Sequence, residues 1–362
     1  MTHRLELRDL GKRFGETDAV RSMNLALEPG EFLSLLGPSG CGKSTTLTMI
    51  AGFETPSTGE IRVDGALINA TPPGRRRIGL VFQDYAVFSR LTVRDNLSFG
   101  LEAQGVRRAE RRRRVAAMAE TLGLGPIMAR RGASLNMSEM QRVALARVLV
   151  TEPRLLLLDE PMSNLDAALR AQLRGELKQL QKRLRQTVLY VTHDQVEAMA
   201  MSDRIAVMHD GVIEQVGAPE DIYHRPATRF VAEFIGDPPI NLLPCRVTRD
   251  GGRLSAATAL HGALELAPRD IDGGDFLIGV RPHDVLLSKT GGDGHARTTV
   301  RFVENLGVEH VLHCDYGDDL IALTAPPGFA SAGETIWLGL DERRLHLIGR
   351  EDGLVHQRKD AA

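Results

Sequence analysis

Gly37-Pro38-Ser39-Gly40-Cys41-Gly42-Lys43-Ser44-Thr45 fits the pattern G-x-x-x-x-G-K-[ST] and stands between the apolar run Phe32 to Leu36 and the helix-like segment Thr46 to Ile50. A strand, a glycine-rich loop and a helix in that order predict a phosphate site. Glycines let the backbone fold so that successive N–H groups and a helix N-terminus point at phosphate oxygens, Lys43 reaches the outer phosphates, and Ser44 offers a hydroxyl to Mg2+.

Such a loop needs carboxylates at the end of another buried strand. Arg154-Leu155-Leu156-Leu157-Leu158-Asp159-Glu160-Pro161 supplies them: a short continuous apolar run, as expected of a parallel strand covered on both faces, ending in two acids. Asp159 is placed to hold the Mg2+ shell, and Glu160 to polarise the water that attacks a terminal phosphoryl group.

The chain has 362 residues, 43% apolar and 25% charged, room for two or three domains with ordinary cores. It contains no apolar stretch of spanning length, and its N-terminus lacks the apolar core of a signal peptide, so we expect neither membrane crossing nor export. Cys41, Cys245 and Cys314 are widely spaced and odd in number, against a disulfide framework or a metal cluster, and fit the cytosol. A net charge of -2 gives no general attraction to nucleic acid. The local exception, Arg107 to Arg114, is expected to be a solvated helix face; the alternative is a patch facing lipid headgroups or an acidic partner.

Leu5 to Leu10 and Val20 to Leu27 alternate as strands do, and Gly59 to Gly65 and Ile78 to Gln83 read as further strands. From Leu91 to Val150 Arg, Ala, Glu and Leu dominate, predicting a helical insertion over about 88–154. Leu165, Leu169, Leu173, Leu177, Leu180 and Leu184 at steps of three and four predict an amphipathic helix. Thr187 to Thr192 is the next strand, with His193 at its end, and Arg204 to Met208 with Val212 to Val216 reads as a hairpin. The alternation implies an α/β domain over 1–235 with a mainly parallel sheet. Beyond Gly236-Asp237-Pro238-Pro239 come short apolar runs, from Ala263 to Ile348, separated by Gly-rich turns, the spacing of a small β-barrel or sandwich over 236–362 with a binding or regulatory role.

Taken in order, these motifs resemble the ATPase subunit of an ABC transporter, almost end to end. Gly37 to Thr45 resembles Walker A, Val81-Phe82-Gln83-Asp84 the Q-loop, Leu155 to Pro161 Walker B, Ser163-Asn164-Leu165-Asp166 the D-loop, and Val191-Thr192-His193-Asp194 the H-loop. The resemblance implies a P-loop NTPase (RecA-like) core with the helical insertion, binding ATP and Mg2+. Within it Gln83 reaches metal and water, with Ser44 and Asp159 as the other metal-site residues. It further implies that His193 contacts the terminal phosphate where charge develops, and that Phe14 stacks on adenine. Pro219 to Tyr223, Arg225 to Ala227, Phe230 to Gly236 and Gly279 to Asp284 resemble importers with a C-terminal OB-like (TOBE) regulatory domain. Such importers serve sugars, polyols, polyamines, oxyanions or iron; Pro238 to Asn241 and the Ser-Asn-Leu-Asp loop lean to the carbohydrate and polyol branch. The implied partners are two transmembrane permease subunits, a second ATPase subunit and an extracytoplasmic solute-binding protein, with the chain peripheral at the cytoplasmic face of the membrane. The alternatives are a motor for polyamine, iron or an oxyanion, and a nucleotide-dependent regulatory module.

One motif departs. The family's L-S-G-G-Q signature should fall at Leu135-Asn136-Met137-Ser138-Glu139, anchored by Gln141 to Arg147. In the family this loop binds the ATP held by the other subunit. Met137 and Ser138 add side chains where glycine permits close approach, and Glu139 brings a carboxylate near a triphosphate. The expectation is a heterodimer with one strong and one weak site, or a homodimer with slow turnover.

Overall fold

The computed structural model describes residues 3–292 and 294–358. The chain divides into two compact units, 1–219 and 220–362. The first unit holds two sheets. In the first sheet β1 (Leu5–Phe14) pairs antiparallel with β2 (Thr17–Leu27) and β4 (Thr58–Val63), and β4 with the two-residue β5 (Ala66–Leu67). The second contains β3 (Phe32–Leu36), β6 (Ile78–Val81), β7 (Leu155–Asp159), β8 (Val188–Thr192), β9 (Arg204–His209) and β10 (Val212–Gly217), in the order β10-β9-β3-β8-β7-β6. All its pairings are parallel except the β9–β10 hairpin.

The parallel register matters for chemistry. Every residue of β3 and β8 is buried, as are the four leucines of β7, because both faces of this sheet are covered. The carboxyl ends of β3, β8, β7 and β6 therefore share one edge, where ligands of open α/β sheets bind. From that edge α1 (Lys43–Ala51) leaves β3, and it stops at Gly52 in the left-handed conformation.

The helical insertion consists of α2 (Val93–Ala103), α3 (Arg108–Thr121) and α4 (Met137–Leu149). It has its own core: Leu97, Leu101, Val115, Leu124, Leu135 and Val143 are buried together. The arginine run lies on α3, where Glu110 pairs with Arg113 and Arg114, and Arg111 with Glu102. It is a helix face with local counter-charges, as expected. On α5 (Ala167–Leu184) the buried leucines are Leu173, Leu177 and Leu180, so the periodicity identified the packed face. Then α6 (Gln195–Met201) follows β8.

The second unit begins with α7 (Pro219–His224) and α8 (Arg229–Phe234). The compact units divide between Pro219 and Glu220 rather than at 235. The physical reason is Arg281, which donates to the carbonyls of Tyr223, Ala232 and Ile235 and ties this helical stretch to the strands after it. Among the described residues those strands number eleven: β11 (Asn241–Asp250), β12 (Arg253–Thr258), β13 (Leu264–Leu266), β14 (Gly274–Val280), β15 (Leu286–Ser288), β16 (Ala296–Asn305), β17 (His310–Tyr316), β18 (Asp319–Ala325), β19 (Thr335–Gly339), β20 (His346–Gly349) and β21 (Val355–His356). They form antiparallel sheets ordered β13-β12-β11-β14-β20-β21 and β15-β19-β16-β17-β18 around a shared apolar core. β11 escaped the sequence reading because Pro244 reads as a breaker, yet Leu243, Cys245 and Val247 alternate inward in it. All three cysteines are free thiols and buried; burial pushes Cys245 up to about 11 and Cys314 up to about 12. Among the described residues no helix is long and apolar enough to cross a membrane.

Candidate functional site: a phosphate loop with an acid pair

The glycines of the loop are there for space and handedness. Gly42, the N-cap of α1, has φ 102°, and a Cβ on it would sit 2.3 Å from the carbonyl oxygen of Ala19. A Cβ on Gly37 would meet the Met208 carbonyl at 2.1 Å, so neither position takes a side chain without moving backbone. Pro38, Ser39 and Gly40 form the outer bend, Cys41 is buried beneath it, and Thr45 lies in the first turn of α1. Lys43 is itself buried, its ammonium donating to the Gly37 and Pro38 carbonyls at 2.8 Å each. That grip holds the cation at the mouth of the loop, beside the N–H groups of α1's first turn. The result is an anion cradle made of a helix terminus and a fixed positive charge.

Across the sheet edge Ser44 Oγ donates to Asp159 Oδ1 at 3.1 Å, joining loop and β7. Burial pushes the Asp159 carboxyl up, and the Ser44 hydrogen bond partly offsets this. Glu160 follows with φ 44°, an uncommon conformation for a non-glycine residue, and its N–H donates to the Val191 carbonyl at 2.9 Å. This aims the carboxylate at the end of β8, where His193 Nδ1 lies 3.1 Å from Glu160 Oε2. Gln83, past the end of β6, donates to Ser163 Oγ at 3.1 Å, and Ser163 Oγ donates to the Glu160 carbonyl at 3.0 Å. Residues distant in sequence thus converge on one edge of the parallel sheet.

Two further expected residues occupy different settings. Phe14, at the end of β1, is 47% exposed with the Lys12 ammonium 4.8 Å from its ring centre, an open aromatic face rather than core. Asp166 caps α5, accepting from the Leu169 N–H at 3.0 Å. Asn136, Met137, Ser138 and Glu139 are not brought to the phosphate loop; they form the start of α4. Asn136 and Glu139 make a reciprocal capping box, each side chain accepting the other's backbone N–H at 2.9 Å. The other Glu139 oxygen accepts from Arg130 at 2.7 Å, and hydrogen bonding from the Asn136 backbone and from Arg130 holds the carboxyl below its ordinary range. The charge that threatened a triphosphate is spent inside the chain.

The sequence reading missed a buried support under the His193 turn. Glu197, 3% exposed, accepts from Tyr190 Oη at 2.6 Å and Thr192 Oγ1 at 2.8 Å. Arg170 on α5 donates to Asp194 at 2.9 Å and to the Leu165 carbonyl at 3.0 Å. Together they fix the end of β8 to α5 and α6 on both sides of His193. No motif flags Glu197 or Arg170, since only the packing of α6 and α5, in which they are the third and fourth residues, brings them there.

An acid with a histidine beside it, at a cradle for phosphates, can activate a water for attack on a terminal phosphoryl group and stabilise the charge that develops. The ABC transporter family profile matches residues 20–163 and the TOBE domain profile residues 278–348. The chain is 43% identical to the xylose/arabinose import ATP-binding protein XacJ of Haloferax volcanii, over 98% of this chain and 96% of that one. It is 42% identical to the trehalose/maltose import ATP-binding protein MalK of Thermococcus litoralis, over 96% of this chain and 98% of the relative. With the sn-glycerol-3-phosphate import ATP-binding protein UgpC 1 of Rhizobium johnstonii the identity is 39%, over 97% and 95%. Among solved structures, cbiO1 from Clostridium perfringens, described as part of an ABC transporter complex, aligns at 31% identity with a TM-score of 0.57, covering 61% of this chain and 91% of that one. With this likeness running nearly end to end over a site of that geometry, the chain belongs to the ATP-binding subunits of ABC transporters, as an importer-type ATPase with a C-terminal TOBE domain.

Proposed function

We propose that this ATPase powers uptake of a sugar, polyol or similar small polar solute through separate membrane subunits, from the cytoplasmic face. The observation that carries the solute class is the near full-length identity to relatives named for import of xylose and arabinose, trehalose and maltose, and glycerol phosphate. Two transmembrane subunits form the path, and an extracytoplasmic binding protein selects the solute.

Within the chain the roles divide by geometry. Phe14 offers a face to adenine; Gly37 to Thr45 cradle the phosphates with Lys43 as the point charge. Ser44 and Asp159, 3.1 Å apart, and the Gln83 amide would hold Mg2+, which suits a hard cation that takes oxygen ligands and keeps waters and phosphate oxygens. Bound there, Mg2+ neutralises charge on the phosphate oxygens. Glu160 takes the proton side of the water, and His193, at the strand end that Glu197 and Arg170 fix, faces the transferred phosphoryl group. Asp166, at the start of α5, stands at the dimer-facing D-loop.

Two such domains clamp ATP, each offering residues 136–139 to the other's nucleotide. Asn136 replaces the signature serine as N-cap, so the N-terminus of α4 is kept, and Arg130 neutralises Glu139. This supports two identical copies rather than obligate pairing with a second ATPase. The test is recovery of the complex from native membranes with mass spectrometry, and ATPase with and without Glu160→Gln. A complex with two permease subunits, this ATPase alone and Glu160-dependent activity is expected. Recovery of a different ATPase beside it would refute the identical pair, and absence of any membrane partner would refute the transporter.

A further inference from the structure

The second unit contains a cavity of about 820 Å³, lined wholly by its own residues. Its composition is lopsided. Among the described residues, six guanidinium groups (Arg225, Arg269, Arg281, Arg343, Arg344 and Arg358) and four histidines line it, against a single carboxylate, Asp284. Some of this charge is answered from behind the wall: Arg343 pairs with Asp341, Arg269 and Arg358 with Glu342, and Arg344 takes Asp284 itself.

Arg281 makes no ion pair among the described residues; Asp284 acts on it only from a distance. It is 2% exposed, and its hydrogen bonds run to three neutral carbonyls, those of Tyr223, Ala232 and Ile235, while its Nε is buried with no partner at all. A buried cation whose hydrogen bonds all run to neutral dipoles is costly, and an anion placed against it recovers part of that cost. Tyr223 lies against it, guanidinium carbon 4.2 Å from the ring centre, and its ring is nearly parallel to that of His283 at 6.3 Å. The wall thus offers flat apolar surface beside the charge. Guanidinium forks match phosphate oxygens, while the volume exceeds what a bare phosphate ion fills.

We propose that this pocket binds a small phosphorylated organic molecule, its phosphate on the arginine wall and its carbon skeleton beside Tyr223 and His283. The site belongs to the second unit and is independent of the ATP chemistry described above. His346 provides a native reporter: burial, then the neighbouring Arg281, pushes its imidazole down to about 4, and an anion set among these cations raises it.

The test is calorimetric titration of the full chain in a Lys43→Ala background, which weakens the phosphate loop's own contribution. Probes are glucose 6-phosphate, glycerol 3-phosphate, inorganic phosphate and glucose. Expected are binding of the two esters, at least tenfold weaker binding of inorganic phosphate and of glucose, and at least tenfold loss of ester affinity in Arg344→Ala and Arg358→Ala. These side chains are 58% and 40% exposed, so their removal spares the core. In the otherwise unmutated chain the His346 ring resonances should titrate at higher pH when ester is present. Ester affinities unchanged within twofold in both variants, or no binding by any phosphate, overturn the proposal. Equal affinity for inorganic phosphate and esters overturns the organic half of it, and an unmoved His346 titration places any binding elsewhere.

Discussion

Replacing Glu139 by glutamine restores the residue the family signature carries, and a reading from sequence alone predicts that activity rises as a repelling carboxylate is removed. The structure predicts otherwise. One oxygen of Glu139 closes the capping box on the Asn136 N–H at 2.9 Å, the other takes Arg130 at 2.7 Å, and the side chain is only 13% exposed. The pair carries no net charge, so a nucleotide nearby feels a small dipole rather than a full negative charge. Glutamine keeps the capping acceptor but loses the ionic half of the Arg130 contact, a charge-assisted bond at a partly exposed site whose removal costs about 1 kcal/mol. For a unit of this size that corresponds to a fall in Tm of roughly 2 to 4 °C. The assays are thermal unfolding and steady-state ATPase of the assembled complex. A lower Tm with kcat changed less than about threefold is expected. A tenfold rise in kcat at unchanged Tm would refute the reasoning, because it would mean that the carboxylate does face the triphosphate and that the Arg130 contact does not hold it.

Other outcomes rest on the same geometry. Gly42→Ala must place a Cβ 2.3 Å from the Ala19 carbonyl at φ 102°, so ATP affinity should fall at least tenfold in equilibrium binding while Gly40→Ala, whose Cβ meets nothing within 4 Å, is affected less. Tyr190→Phe removes one donor from buried Glu197 and should cost about 1 to 2 kcal/mol in urea unfolding; if Glu197 positions His193, kcat falls more than KM changes, whereas a purely structural role leaves kcat intact. His346, held near 4 when folded against 6.5 ordinarily, leaves the unfolded chain binding a proton that the folded chain does not. Its contribution therefore reduces stability as pH falls from about 6.5 to 4, by roughly 3 kcal/mol at the lower end. Denaturant titrations of the wild type and His346→Gln across that window should show a flatter slope in the variant. A parallel slope would show that other groups carry the dependence.

The sequence by itself determined the ligand class, the parallel α/β core and which residues gather at the carboxyl ends of its strands. Lys43, Asp159, Glu160, Gln83 and His193 were legible because each sits at or just past the carboxyl end of a short apolar run, and parallel strands must bring such ends to one edge. The leucine period of α5 identified its buried face for the same local reason. Tertiary structure alone decided what needs contacts between distant segments. It drew Glu197 and Arg170 beneath His193, and it tied α7 and α8 to the second unit through Arg281. It also turned Glu139 from a free charge into half of a capped ion pair with Arg130, nine residues back. Chain pattern reports which face a residue shows, period by period, but a charge's effect depends on what answers it in space. That answer comes from side chains whose spacing along the chain has no period to read.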